Sequence, residues 1–183
     1  MKAFLTSAGF DNENLINHFN TLVDKIDYKS KTLFIPTALN TPKARKYVPV
    51  FMEDLYKIGF TDSSIDTYDL SEPFDDEEII KYDVVFFCAG DPEYLLNKVN
   101  EMNFDKSLEH FFDSGGVYIG VSAGSDIAAR NFPNNLGYLN VIIECHAKQA
   151  SPNGILDTNE TQVVKITDNH AIIINGDVIT LVE

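Results

Sequence analysis

Residues 117–124 read Val-Tyr-Ile-Gly-Val-Ser-Ala-Gly. A run this apolar, with no polar alternation, is the mark of a strand buried on both faces, as in the middle of a parallel sheet. It ends in Gly120-Val121-Ser122-Ala123-Gly124, which fits the pattern Gly-x-Ser-x-Gly. Small residues at those positions predict a sharp passage from strand to helix, with the Ser122 hydroxyl lifted clear of the sheet. The amides and positive dipole end of the following helix then face the same space.

Outward from this stretch the chain alternates strand and helix. Upstream, Asp83–Cys88 (Asp-Val-Val-Phe-Phe-Cys), Thr32–Pro36 and Ala3–Thr6 read as strands, and the alternating Ser64–Leu70 as a weaker one. Between them Leu15, Ile16, Phe19, Leu22, Val23 and Ile26 recur at helical spacing, with Asp11 or Asn12 placed to cap. Thr41-Pro42 opens a second helix with a stripe of Val48, Phe51, Met52 and Leu55. Pro49 is expected to kink it and Gly59 to end it. Helices are predicted over Pro92–Val99 and Phe104–Phe112, and a short one from Ala123. Leu139–Ile143, Val163–Ile166 and Ala171–Leu181 follow as strands, the last broken by the hairpin signal Asn175-Gly176. The pattern predicts one α/β domain over residues 1–183, a mostly parallel sheet with helices on both faces and a C-terminal antiparallel hairpin at the edge. Such sheets carry chemistry at the carboxyl ends of their strands.

Composition bounds the partners. With 44% of 183 residues hydrophobic, the chain can bury a core. A net charge of −14 without a basic cluster makes nucleic acid and anionic membrane poor partners. No apolar run approaches the roughly 18 residues of a membrane span, and the N-terminus lacks a signal-peptide pattern. Two cysteines, Cys88 and Cys145, are too few for a disulfide framework or a cysteine zinc site, so a reducing, cytoplasmic setting is expected. The acidic run Asp75-Asp76-Glu77-Glu78 reads as the solvated start of a short helix.

A serine nucleophile needs a base. His18 and His110 fall within helices; His146 lies just past the strand Leu139–Ile143, on the rim expected to carry Ser122. His170 sits in the turn Thr167-Asp168-Asn169-His170 and is a candidate neighbour of the site. Asp113-Ser114-Gly115-Gly116 looks like a protease motif but is read as a helix end with a glycine cap. Cys145 adjoins His146, and adjacent residues rarely face each other productively. Neither a metal-ligand spacing nor a phosphate-binding loop is present. In Ala89-Gly90-Asp91-Pro92, Asp91 is placed to cap the next helix and is, like His170, a candidate neighbour of the site. Gly90 lets the backbone approach a ligand, so the amides of Gly90 and Ala123 form a candidate two-donor oxyanion hole.

Ala89-Gly90-Asp91-Pro92 with Leu95-Leu96, Tyr118–Gly124, and Leu33–Ala38 together resemble the serine peptidases of the aspartyl dipeptidase (dipeptidase E) and cyanophycinase family. The resemblance implies a flavodoxin-like three-layer sandwich of the class I glutamine amidotransferase type, with Ser in place of the usual Cys. It implies Ser122 as nucleophile, His146 as base, Gly90 and Ala123 as oxyanion-hole positions, no cofactor, and hydrolysis after aspartate in small peptides. Family members carry a longer segment between serine and histidine, including a relay acid. Asp126, one helical turn after Ser122, and Glu144, two before His146, are the candidates here. A glutamate found near the family's C-terminus is matched in this chain by His170. Arg130 and Lys148 are candidates to hold an acidic substrate side chain. The rival reading is a degenerate member that keeps the fold and binds a small ligand or partner. A conventional α/β-hydrolase has too little chain after Ser122 for its later strands. The closing hairpin offers an edge for a homodimer.

Overall fold

Phe86 and Phe87 are consecutive in the strand Val84–Phe87 and both fully buried. Side chains alternate across a strand, so both faces of the sheet must be covered. The computed structural model, which describes residues 1–23, 26–27 and 29–183, shows how. Five strands, β1 (Lys2–Thr6), β2 (Thr32–Ile35), β3 (Ile65–Thr67), β4 (Val84–Phe87) and β5 (Val117–Val121), run parallel in the order β3-β2-β4-β5-β1. Five α-helices accompany them: α1 (Glu13–Val23), α2 (Val48–Lys57), α3 (Pro92–Glu101), α4 (Phe104–Asp113) and α5 (Ala123–Ala128).

Aromatic packing assigns the layers. On one face Phe86 packs on Phe34 of β2 and Phe51 of α2, while Phe4 of β1 packs on Phe19 of α1. On the other, Phe87 stacks on Tyr118 of β5 and meets Phe104 of α4. Helices α3 and α5 pack together on that second face. The register Phe4↔Ile119↔Phe86↔Phe34 keeps each set of rings on one side. The expected three-layer α/β arrangement is present.

The C-terminal third departs from the sequence expectation. Strand β9 (Ala171–Asn175) pairs antiparallel with β1, and β10 (Val178–Val182) with β9 through the two-residue turn Gly176-Asp177, one residue on from the expected Asn175-Gly176. The hairpin is not the edge: β7 (Gly154–Ile155) pairs outside β10. Strands β6 (Val141–Glu144) and β8 (Gln162–Lys165) leave the main sheet altogether and form a two-stranded parallel sheet. β6 alternates buried and exposed positions and β8 buries only Val164, opposite the buried Ile143, so only one face of that small sheet meets the core. Pro49 does not kink α2. It lies in the first turn, where its missing N–H costs nothing. Thr41 instead accepts a bond from the Ala44 amide and closes the turn before that helix. The run Asp75–Glu78 precedes only a 3-10 turn at Ile79–Lys81.

Candidate active site

Three chain segments meet at the carboxyl rim of the sheet because the register brings them there. Val121 pairs with Thr6, so Ser122 and Ser7 emerge side by side from β5 and β1. Ala171 pairs with Thr6 from the other side, so the turn 167–170 before β9 lands on the same rim. The small parallel sheet delivers the fourth residue. Glu144 pairs with Lys165, the Ile166 amide donates to Glu144 O, and the Ala147 amide donates to Ile166 O. His146 is thereby held against the stretch leading to Asp168. Asn131 clamps the other edge of β6, exchanging bonds with Ile143 O and N at 2.7 and 2.9 Å.

The elbow itself explains its glycines. A Cβ on Gly120 would meet Gly124 C at 2.6 Å, and one on Gly124 would meet Phe87 O at 2.6 Å. The turn is drawn onto the sheet by buried hydrogen bonds. The Tyr118 hydroxyl donates to Gly124 O (2.7 Å), and the Ser125 hydroxyl lies 2.8 Å from both Thr6 O and Gly120 O. Ser122 donates its amide to Thr6 O and is held at φ +47°, ψ −100°.

Ser122 Oγ lies 3.2 Å from His146 Nε2. On the far side of the ring, Nδ1 lies 2.7 Å from Asp168 Oδ1. A carboxylate accepts only, so Nδ1 carries the proton and Nε2 is left to accept from the serine. Both His146 and Asp168 are more than half exposed, at 55% and 62% of their side-chain surfaces. The arrangement is open to substrate and solvent, and it can move a proton from Ser122 to an oriented imidazole.

Neither acid singled out in the sequence holds the histidine. Asp126 accepts from Asn131 Nδ2 (3.2 Å) and from the Cys145 thiol (3.6 Å), and burial pushes its carboxyl up to about 6. It lies on α5 behind the relay. Glu144 points outward from β6 and pairs with Lys165 at 3.3 Å. His170 is buried and bonds Thr167 Oγ1 through Nδ1 (2.7 Å), closing the turn that carries Asp168. Asp91 caps α3 through the Tyr94 amide and accepts from Asn40. Gly90 has φ +144°, and a Cβ there would meet Ala38 O at 2.2 Å. Gly90 and Ala123 each lie three residues beyond the paired positions Phe87 and Gly120. Arg130 bonds Asn140 through Nε. Lys148 lines an open cleft of about 680 Å³ with His146 and Lys165, and Gly90 lines an apolar groove of about 480 Å³ with Tyr47 and Phe51. Burial pushes both thiols up, Cys88 to about 12, so neither is a ready nucleophile.

Asp168 has no mark in the sequence beyond its place in the turn Thr167–His170, whose histidine is the more conspicuous group. The available signal was an acid just past the β8 run, at the level where β9 begins. Ser7, directly after the β1 run, carried no signal at all.

A serine elbow on an open α/β sheet, facing an oriented histidine, defines a recognisable class. The model of Peptidase family S51 matches residues 3–150, and the chain belongs to that family. It is 29% identical to uncharacterized peptidases of Listeria innocua, over 129 residues, and Pasteurella multocida, over 132. Those matches cover 70% and 71% of this chain but 59% and 61% of the relatives, so it spans about three fifths of the length of the curated relatives it matches. A peptidase E protein from Listeria monocytogenes superposes with a TM-score of 0.74 at 22% identity, over 100% of this chain and 98% of that one. A peptidase from an acI-B1 actinobacterium gives 0.70 at 16%, over 99% and 86%. At these identities the likeness is one of fold. Among the described residues no helix is long and apolar enough to cross a membrane, and no group of three or more His, Cys, Asp or Glu residues could hold a metal ion.

Proposed function

We propose that the chain is a serine-type hydrolase that cleaves peptide bonds in small peptides through Ser122, His146 and Asp168. The observation that carries this is the unbroken hydrogen-bond series from Ser122 Oγ through the imidazole to Asp168 Oδ1. Ser122 Oγ attacks the substrate carbonyl carbon as its proton passes to His146 Nε2. Asp168 steadies the imidazolium that forms. The amides of Gly90 and Ala123 receive the oxyanion. His146 then gives the proton to the leaving nitrogen as the C–N bond breaks, and a water repeats the sequence to free the acid and restore the serine. A complete relay weighs against a degenerate, binding-only member.

The finer reading is a preference for Asp on the acyl side, with Lys148 beside His146 as the available cation. The test is a panel of dipeptides with Asp, Ala or Leu first, together with fluorophosphonate labelling located by mass spectrometry. Wild type is expected to cleave members of the panel and to be labelled at Ser122. Ser122→Ala is expected to lose about 10³-fold or more in kcat and all labelling. Equal rates for the two proteins remove the assignment, and a flat response to the first residue removes the Asp preference alone.

A further inference from the structure

Ser7 has no place in the relay as proposed, yet it touches two of its members. It is fully buried at the carboxyl end of β1. Its hydroxyl oxygen accepts the His146 backbone N–H at 2.7 Å. The same hydroxyl donates to Asp168 Oδ1 at 2.9 Å and lies 3.1 Å from His146 Nδ1. A hydroxyl has one proton. Nδ1 carries its own proton toward the nearer Asp168 oxygen and cannot accept, so the Ser7 proton has one productive direction, the carboxylate.

We propose that Ser7 is a positioning residue for the hydrolytic reaction, setting the backbone of His146 and the carboxylate of Asp168 at once. The inference rests on the relay reading above. Two features give Ser7 something to do. His146 sits at φ +55°, a left-handed conformation that a non-glycine residue keeps only when its surroundings hold it there. The amide bond to Ser7 supplies that hold and aims the ring at Ser122. Asp168 is largely exposed and lies in a turn, so by itself its carboxylate would sample several rotamers. The Ser7 hydroxyl fixes the oxygen that receives Nδ1–H and thereby the tautomer that leaves Nε2 free for Ser122. Because Ser7 stands at the end of a central strand while His146 and Asp168 stand on connecting segments, it ties the part of the relay carried by those segments to the sheet that carries Ser122.

A double-mutant cycle separates this role from a merely structural one. Ser7→Ala is expected to lower kcat about ten- to hundredfold, the loss typical of a small misplacement of a reacting group, with KM little changed. Asp168→Ala lowers kcat further. In the double variant the Ser7 substitution is expected to add almost nothing, because the carboxylate it oriented is gone. Ser7→Thr, which keeps the hydroxyl, is expected to recover most of the rate. A downfield imidazole N–H resonance is expected in wild type at low temperature, weakened in Ser7→Ala and absent in Asp168→Ala. Wild-type kcat in Ser7→Ala overturns the proposal. So do losses that multiply in the double variant, and so does a Ser7→Ala resonance identical to wild type. If Ser122→Ala retains full activity, the relay reading has failed instead, and the two failures are told apart by that one control.

Discussion

Ser122 occupies a backbone conformation that costs of the order of 1–3 kcal/mol, and the cost is carried by the bonds that draw the elbow onto β1 and β5. Asp126, one turn further on, shows a different tension. Burial pushes its carboxyl from 3.8 up to about 6, against the hydrogen bond from Cys145 and the attraction of His146. A carboxyl that holds its proton more tightly when folded than when unfolded opposes folding once it ionises. Its contribution is therefore intact below about pH 4 and is lost as pH rises through about 6. Asp126→Asn keeps an acceptor for Asn131 and removes the ionisation. It should stabilise the protein by about 1–3 kcal/mol at pH 8 and by little at pH 4, read from urea midpoints at the two values. Equal gains at both would show that the charge is not the cause. The sequence marked Asp126 as an acid near the serine, and it is near. It could not show that Cys145 and Asn131, rather than His146, receive it, because Cys145 arrives from 19 positions on and Asn131, five positions on, lies in the irregular chain past the end of α5.

At the scale of elements, the strand-turn-helix unit β5–α5 was fully readable. Its apolar run, its small residues and its short helix are local properties, and each appears where it was expected. The glycines are there for clearance rather than for turn conformation alone. Gly124→Ala would drive a methyl to 2.6 Å from Phe87 O, which is backbone and cannot swing aside. The variant should lose about 1–3 kcal/mol of stability and show slowed fluorophosphonate labelling at the same time, since the displaced turn carries Ser122. Loss of stability with an unchanged labelling rate would mean that the elbow absorbs the methyl without moving the hydroxyl. The small sheet β6–β8 was not readable as a unit. Both runs were legible as strands, yet parallel partners are chosen by long-range packing, and nothing in either segment says that it pairs with the other rather than with the main sheet.

The whole molecule carries a net charge of −14, and in the cleft beside His146 the two lysines, Lys148 and Lys165, share the lining with Glu144, which pairs with Lys165. Long-range repulsion should slow the capture of anionic peptides. It is screened as the Debye length falls from about 30 Å at 0.01 M salt to about 8 Å at 0.15 M. For a dipeptide beginning with Asp, kcat/KM is expected to rise a few-fold over that range, while a net-neutral dipeptide stays level. A parallel rise for both would point to an effect of salt on the protein rather than on encounter. At this scale the amino-acid order determined the strands, the helices, the elbow and the expectation that Ser122 and His146 share a rim. These are short-range patterns of apolar spacing, capping and small residues, and each is specified by neighbours in the chain. The tertiary structure alone decided that Asp168 lies at His146 Nδ1 and that Ser7 touches both of them. Those contacts join residues 139 to 161 positions apart, or sit in turns with no periodicity of their own, and they exist only because β1 pairs with β5 on one side and β9 on the other.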